Sequence, residues 1–251
     1  MNQDNLPPTG GMRITLVRHG ETHQNFHGVV QGQDPTQGRL TERGMRQAQL
    51  LGPVLAEQPF DMAYCSPLER AVLTMSLILM ARPGDRTVPL TFADDLREIN
   101  LGVLHGRPHT EWREAINGDP MHFCADGGEC WLDVQQRATR YLRQTIMAAG
   151  HRNVLIVAHG GVNRGIIASL LGFPMSQAWA GLGQGAPQDN TCVNVLDLDA
   201  QGNVVHAVVN DTSHLAEEFP GAGLGQRWIM AERRWELMGG TGLGNGFNPV
   251  V

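Results

Sequence analysis

The chain has 251 residues, 41% of them apolar, which is enough for one large core and excludes a disordered chain. Its 19 basic and 25 acidic residues leave a net charge of −6 with no Lys/Arg run, which excludes a diffuse nucleic-acid-binding surface, so functional cations must be individually placed. No apolar run reaches the ~18 residues that a membrane span needs, and polar residues 1–12 with Pro7-Pro8 do not read as a secretory signal, so a soluble, cytoplasmic, reduced setting is expected.

Residues 1–12 read as a flexible lead-in, and Arg13 to Arg18 as a first buried strand that delivers a cation and then His19-Gly20 onto a turn. Residues 23–40 have weak periodicity and read as a loop. Thr41 is the expected N-cap of a helix in which Met45, Ala48, Leu51, Val54 and Leu55 recur at helical spacing. Asp61 to Tyr64 is a short strand ending at Cys65-Ser66-Pro67. Helix 67–81 should follow, with Pro67 in its first turn and Ser66 as its cap.

Val88 to Phe92 reads as an edge strand and Leu96 to Leu104 as irregular. Residues 105–128, with Pro108, Pro120 and Gly127-Gly128, read as an inserted cap. An amphipathic helix over Trp131 to Met147 leads to strand 153–158, His159-Gly160 and helix 161–171. Thr191 to Leu198 and Val204 to Val209 form a hairpin pair around Asp199-Ala200-Gln201-Gly202. A helix over Arg227 to Met238 and a mobile Gly-rich tail over 239–251 complete the reading. Strands alternating with helices predict a three-layer α/β/α sandwich with a mostly parallel central sheet.

Two His-Gly turns at two strand ends are hard to explain by packing. In open α/β sheets, ligands bind at the carboxyl ends of the strands. A neutral imidazole is one of few side chains able to attack phosphorus near neutral pH. Phosphoryl transfer also needs cations around the phosphoryl oxygens and a proton for the leaving oxygen. Arg18 and Arg70 are placed to fork onto phosphate, His159 adds a donor, and the helix starting near Gly161 presents backbone N–H groups. Glu98, after the third strand, is the best-placed carboxylate for proton transfer.

Cys65, Cys124, Cys130 and Cys192 lack Cys-x-x-Cys spacing and read as buried or free thiols, not a zinc site. His105 and His109 have metal spacing for a helix, but Pro108 between them argues against one.

Leu16-Val17-Arg18-His19-Gly20-Glu21-Thr22 with Asn25 resembles the signature of the histidine phosphatase superfamily, also called phosphoglycerate mutase-like. The resemblance continues through Leu40-Thr41-Glu42-Arg43-Gly44, through Ser66 to Ala71 with Thr74, and through Leu96 to Gly102. Gly127-Gly128-Glu129 and Val157 to Gly161 complete it, all in the family's order over residues 13 to about 215. It implies a 13–215 catalytic domain with the cap at about 105–128 and a 216–251 C-terminal extension.

The resemblance also implies roles. His19 is the nucleophile that becomes phosphohistidine. Arg18, Arg70, His159 and Gly160 hold the phosphoryl group, and Asn25 lines its pocket or caps a local turn. Glu98 protonates the leaving oxygen and then deprotonates water. No metal or cofactor is implied. The partner is a small phosphorylated substrate, and a homodimer is a common state of the family.

The expected activity is metal-independent phosphomonoester hydrolysis, with an optimum on the acidic side of neutral. A phosphoglycerate-type mutase or a non-catalytic phospho-ligand binder are the alternatives. The short cap, with only Arg107 and Arg113 as fixed cations, favours the phosphatase, because the mutases carry a longer, basic, Pro-rich insertion there. Trp112, Met121 and Phe123, mixed with His105, Arg107, His109 and His122, suit a small phosphomonoester with an apolar or sugar part. The Gln31-Gly32-Gln33-Asp34-Pro35 run departs from the family's compact loop, and His214 is expected to pin the sheet edge.

Overall fold

The computed structural model describes residues 10–34, 38–179, 187–219, 227–231 and 234–238. Among these residues the strands are β1 (Met12–Arg18), β2 (Met62–Cys65), β3 (Leu90–Phe92), β4 (Asn153–Ala158), β5 (Val193–Leu198), β6 (Val204–Asp211), β7 (Arg227–Ala231) and β8 (Arg234–Met238). They form one sheet in the order β3-β2-β4-β1-β5-β6-β7-β8. β3, β2, β4 and β1 run parallel, and from β5 onward each strand is antiparallel to its neighbour. Only β5 and β7 therefore oppose the common direction, which gives the mostly parallel sheet expected.

Both faces of the sheet are buried, which is why β1 and β4 read as continuous apolar runs. Ile14, Leu16, Val154 and Ile156 face one apolar cluster, shared with Val134, Ala138, Val162 and Ile166 of α5 (Trp131–Tyr141) and α6 (Gly160–Leu171). Val17, Leu155 and Val157 face the other, shared with Leu51, Leu55, Ala71, Met75 and Ile78 of α2 (Glu42–Ala56) and α3 (Glu69–Met80). Side chains alternate across a strand, so one residue of register separates the two layers. The result is the three-layer sandwich. Among the described residues no helix is long and apolar enough to cross a membrane.

Several local expectations change. Residues 23–40 are not all loop: α1 (His23–His27) is closed by a reciprocal box in which Thr22 Oγ1 accepts from Asn25 N and Asn25 Oδ1 accepts from Thr22 N. The usual box has Glu or Gln at the third position, so Asn hid the signal. Thr41 does cap α2, accepting from Gly44 N at 2.9 Å. Ser66 does not cap α3, which begins at Glu69 behind an uncapped Leu68. The cap segment holds a short helix, α4 (His109–Ala115), and Leu142–Met147 continues α5 as a π-helical turn.

The largest correction is Arg227–Ala231 and Arg234–Met238, which form the antiparallel strands β7 and β8 and not a helix. Short apolar runs do not distinguish the two, and the open edge of β6 supplies pairing groups that an isolated helix lacks. Residues 1–9 of the expected lead-in and the expected mobile tail 239–251 lie outside the described residues, and Met12 already belongs to β1.

Candidate active site

β1 and β4 pair in parallel with Arg18 opposite Ala158, so the turns that follow bring His19 and His159 side by side. Their ring centroids are 5.2 Å apart, and both side chains are buried. His19 Nδ1 lies 2.8 Å from the Gly20 carbonyl oxygen. A carbonyl only accepts, so Nδ1 carries the proton and Nε2 keeps the lone pair. Burial, then Arg70 and Arg18, hold His19 well below the ordinary imidazole range, so the ring stays neutral.

The turn is gripped from below. Gly20 N donates to Thr74 Oγ1, which in turn donates to the Arg70 carbonyl. A Cβ on Gly44 would collide with the Glu21 carbonyl oxygen, so only glycine lets α2 start against this turn. The His19 carbonyl accepts from Asn190 Nδ2 and from Thr191 N. Thr191 holds φ +57°, a sparsely populated region for a β-branched residue, to reach it.

Arg70 is buried, and Nη2 donates to Gly32 O at 2.8 Å while Nε donates to His159 Nδ1. His159 Nε2–H therefore points the other way and donates to Ser66 Oγ at 2.7 Å. This corrects one expectation. Ser66 serves His159 instead of a helix end, because Cys65 pairs with Val157 and puts the two strand ends together. In this structure both His159 nitrogens are already engaged. Arg18 Nη1 donates to Gln188 O at 2.6 Å, while its buried Nε has no hydrogen-bond partner among the described residues.

Glu98 sits across the pocket from these cations. Oε1 accepts from Ile99 N at 3.1 Å and Oε2 from Gly161 N at 3.2 Å. The N-terminal N–H of α6 expected for an anion is thus used by Glu98. Its carbonyl accepts from Gln33 Nε2 and Arg137 Nη2, and Arg137 also forks onto Glu129. Glu129 Oε2 accepts from Asn100 N as well. The Gly-Gly-Glu motif therefore holds the backbone that carries Glu98.

Arg18, His19, Asn25, Arg70, Glu98 and Gly160 all line one cavity of about 200 Å³. His159 stands behind it, touching it through Arg70 and His19. Asn25 both caps α1 and lines the cavity, and its Oδ1 also accepts from Asn190. A Cβ on Gly160 would lie 3.5 Å from Arg18 Nε and 3.4 Å from Arg164 Nη1. Arg164, one helical turn along α6, is a lining residue that the sequence reading missed, and burial lowers it to about 10.

The cap contributes less than expected. Only Trp112 and His109 of the seven named cap residues line the cavity, joined by Val29, Val30, Leu101 and Trp131. Met121 is buried in the core, His105 bonds Gln31 and Asn100, and exposed His122 and Arg107 pair with Asp119 and Glu111. Arg43 packs over Phe219 and faces Glu21, which is a structural role. His214 Nε2 lies 3.0 Å from Thr191 Oγ1, two residues before the interior strand β5.

Residues 14–211 match the histidine phosphatase superfamily (branch 1). The chain belongs to that superfamily. It is 35% identical over 175 residues to the adenosylcobalamin/alpha-ribazole phosphatase of Escherichia coli, covering 67% of this chain and 83% of the relative. It is 30% identical over 216 residues to phosphoserine phosphatase 1 of Hydrogenobacter thermophilus, covering 83% and 96%. The crystal structure of a putative alpha-ribazole-5'-P phosphatase from Escherichia coli superposes with a TM-score of 0.66 at 32% identity, covering 77% of this chain and 93% of that one.

Proposed function

We propose that this member of the superfamily is a metal-independent phosphoric monoester hydrolase acting on a small phosphorylated metabolite through a phosphohistidine on His19. The observation that carries the reading is the His19 tautomer. The Gly20 carbonyl accepts a hydrogen bond from Nδ1–H, and burial, then Arg70 and Arg18, keep the ring neutral, so Nε2 is a ready nucleophile at a cationic pocket.

In this mechanism the Arg18 and Arg70 guanidiniums hold the non-bridging oxygens, supplying charge where it develops. His19 Nε2 forms the N–P bond as the P–O ester bond breaks, and Glu98 gives its proton to the leaving oxygen. Glu98 then takes a proton from water, whose oxygen attacks phosphorus and breaks the N–P bond, releasing inorganic phosphate. His159 holds Arg70 in orientation and acts on the phosphoryl group through that guanidinium, whose remaining N–H groups face the phosphate. Hydrolysis is favoured over mutase chemistry because Arg107 and Arg113 are exposed and do not line the cavity, so the cap presents no fixed cation to a second anionic group.

The apolar wall of Trp112, Trp131, Val30 and Leu101 suits a leaving group with an apolar part. The test is phosphate release from p-nitrophenyl phosphate in EDTA near pH 6, wild type against His19→Ala. Activity that the mutation abolishes supports the reading, whereas activity surviving it overturns the nucleophile assignment. Alpha-ribazole phosphate and phosphoserine are the first metabolites to compare.

A further inference from the structure

Outside the catalytic pocket, the fold gathers two thiols and a carboxylate that the sequence spacing gave no reason to connect. Cys130 is the N-cap of α5, and Asp133, one turn on, accepts from Cys130 N at 3.0 Å. Cys130 Sγ donates to the same Asp133 Oδ2 at 3.1 Å. Cys124, at the end of the cap, brings its Sγ to 3.8 Å from that oxygen. The three ligand atoms all lie within 4.8 Å of one another. Cys130 is buried and Cys124 and Asp133 are exposed, so one side of the triangle opens to solvent.

We propose that Cys124, Cys130 and Asp133 form a binding site for a thiophilic divalent cation of the zinc class, with solvent in the fourth position. The geometry fits that ion. Metal–sulfur bonds of ~2.3 Å and metal–oxygen bonds of ~2.0 Å at tetrahedral angles put sulfur and oxygen ligands ~3.5 Å apart. The two observed sulfur–oxygen separations, 3.1 and 3.8 Å, straddle that edge. Binding forms two metal–sulfur bonds and one metal–oxygen bond and releases one proton from each thiol, with no change of oxidation state.

A redox couple is the weaker use of the same thiols. Disulfide exchange would use only the two sulfurs, whereas the observed arrangement also turns Asp133 Oδ2 toward both thiols. A cation instead displaces the thiol protons and uses the carboxylate as a ligand.

The site lies where occupancy matters to the pocket. It joins the returning limb of the cap to the first turn of α5, across Glu129 and next to Trp131. Glu129 holds the Asn100 backbone, and Trp131 lines the cavity. A bound cation clamps this limb without entering the phosphoryl chemistry, so the site stands or falls independently of the phosphatase reading.

The test titrates cobalt(II) into the full chain, stripped with EDTA, desalted and kept reduced. A thiolate-to-cobalt charge-transfer band with tetrahedral visible bands, saturating at one cobalt per chain and removed by zinc, is the expected result. Cys124→Ser should lose about half the charge-transfer intensity, Asp133→Asn should weaken affinity by about 10-fold or more, and the Cys124→Ser/Cys130→Ser double variant should show no band. Cys124 is exposed, so Cys124→Ser keeps the fold, and unchanged p-nitrophenyl phosphate turnover checks this. Absence of the band in the wild type, or a band undiminished by Cys124→Ser, overturns the proposal.

Discussion

Arg70 Nε donates to His159 Nδ1 at 3.2 Å, so two groups expected to grip a phosphoryl side by side are bonded to each other. The bond fixes the His159 tautomer and sends its Nε2–H to Ser66. It also leaves Arg70 oriented before substrate arrives, with its other arm on the Gly32 carbonyl. Preorganised donors of this kind need no reorganisation at the moment of reaction.

Arg70→Lys tests that preorganisation. An ammonium keeps the charge but cannot bond Gly32 O and His159 while presenting a fork to phosphate. Loss of one such donor typically lowers turnover by ~10²–10³. The expected result is a kcat/KM deficit of that size with native circular dichroism. Turnover within about 3-fold of wild type would show that charge alone suffices.

Gly161→Ala should damage both the cavity and the fold. Its Cβ would fall inside the Trp131 indole and 2.6 Å from Glu98 Oε1. Overpacking of this sort costs ~1–3 kcal/mol, and here it also displaces the carboxylate. Adding Trp131→Leu opens the space on the indole side and should recover part of the lost melting temperature. A single variant with wild-type melting temperature and activity would show that the indole moves aside freely.

The sheet, the two histidine turns and the cations were legible because each depends on local signals. Apolar runs in β1 and β4 end in His-Gly, and Thr41 precedes a helical pattern. What was hidden depends on contacts between distant segments. Ser66 reads locally as a helix cap, and only the pairing of β2 with β4 brings it to His159. Arg164 is the one charged residue of α6, and nothing local says that it reaches the pocket. Cys124 and Cys130 are six residues apart in a segment without period, and only the fold of the cap return brings them together. The β7–β8 pair was misread because its partner edge, β6, is set by topology and not by its own sequence.

Buried neutral histidines should make the protein acid-labile. Burial lowers His214 to about 4, while burial and then Arg70 hold His19 and His159 well below the ordinary range. In the unfolded chain each titrates near ~6.5, so below that pH the unfolded state binds more protons than the native state. Stability is therefore complete above ~6.5 and falls on acidification toward the native values, by up to ~1.4 kcal/mol per pH unit for each histidine. Urea midpoints should drop between pH 7 and pH 5. The same shift keeps His19 unprotonated in that window, so activity persists as stability declines. Midpoints flat to pH 5 would mean that these rings are protonated in the native state.

Glu98→Gln separates the two halves of the reaction. The carboxyl is asked first for a proton to the leaving oxygen and then for a base toward water, and each task is worth ~10²–10⁴ in rate. Nitrophenolate leaves without a proton, so the variant should still transfer phosphoryl from p-nitrophenyl phosphate to His19. It should then stall, because nothing deprotonates the water. The expected signature is a burst of nitrophenolate equal to the enzyme present, followed by slow turnover, with acid-labile, base-stable phosphate on the protein. An alkyl phosphate needs the proton in the first step, so it should give neither burst nor turnover. Undiminished steady-state hydrolysis of the alkyl ester would remove Glu98 from both roles and move the search to other groups around the cavity.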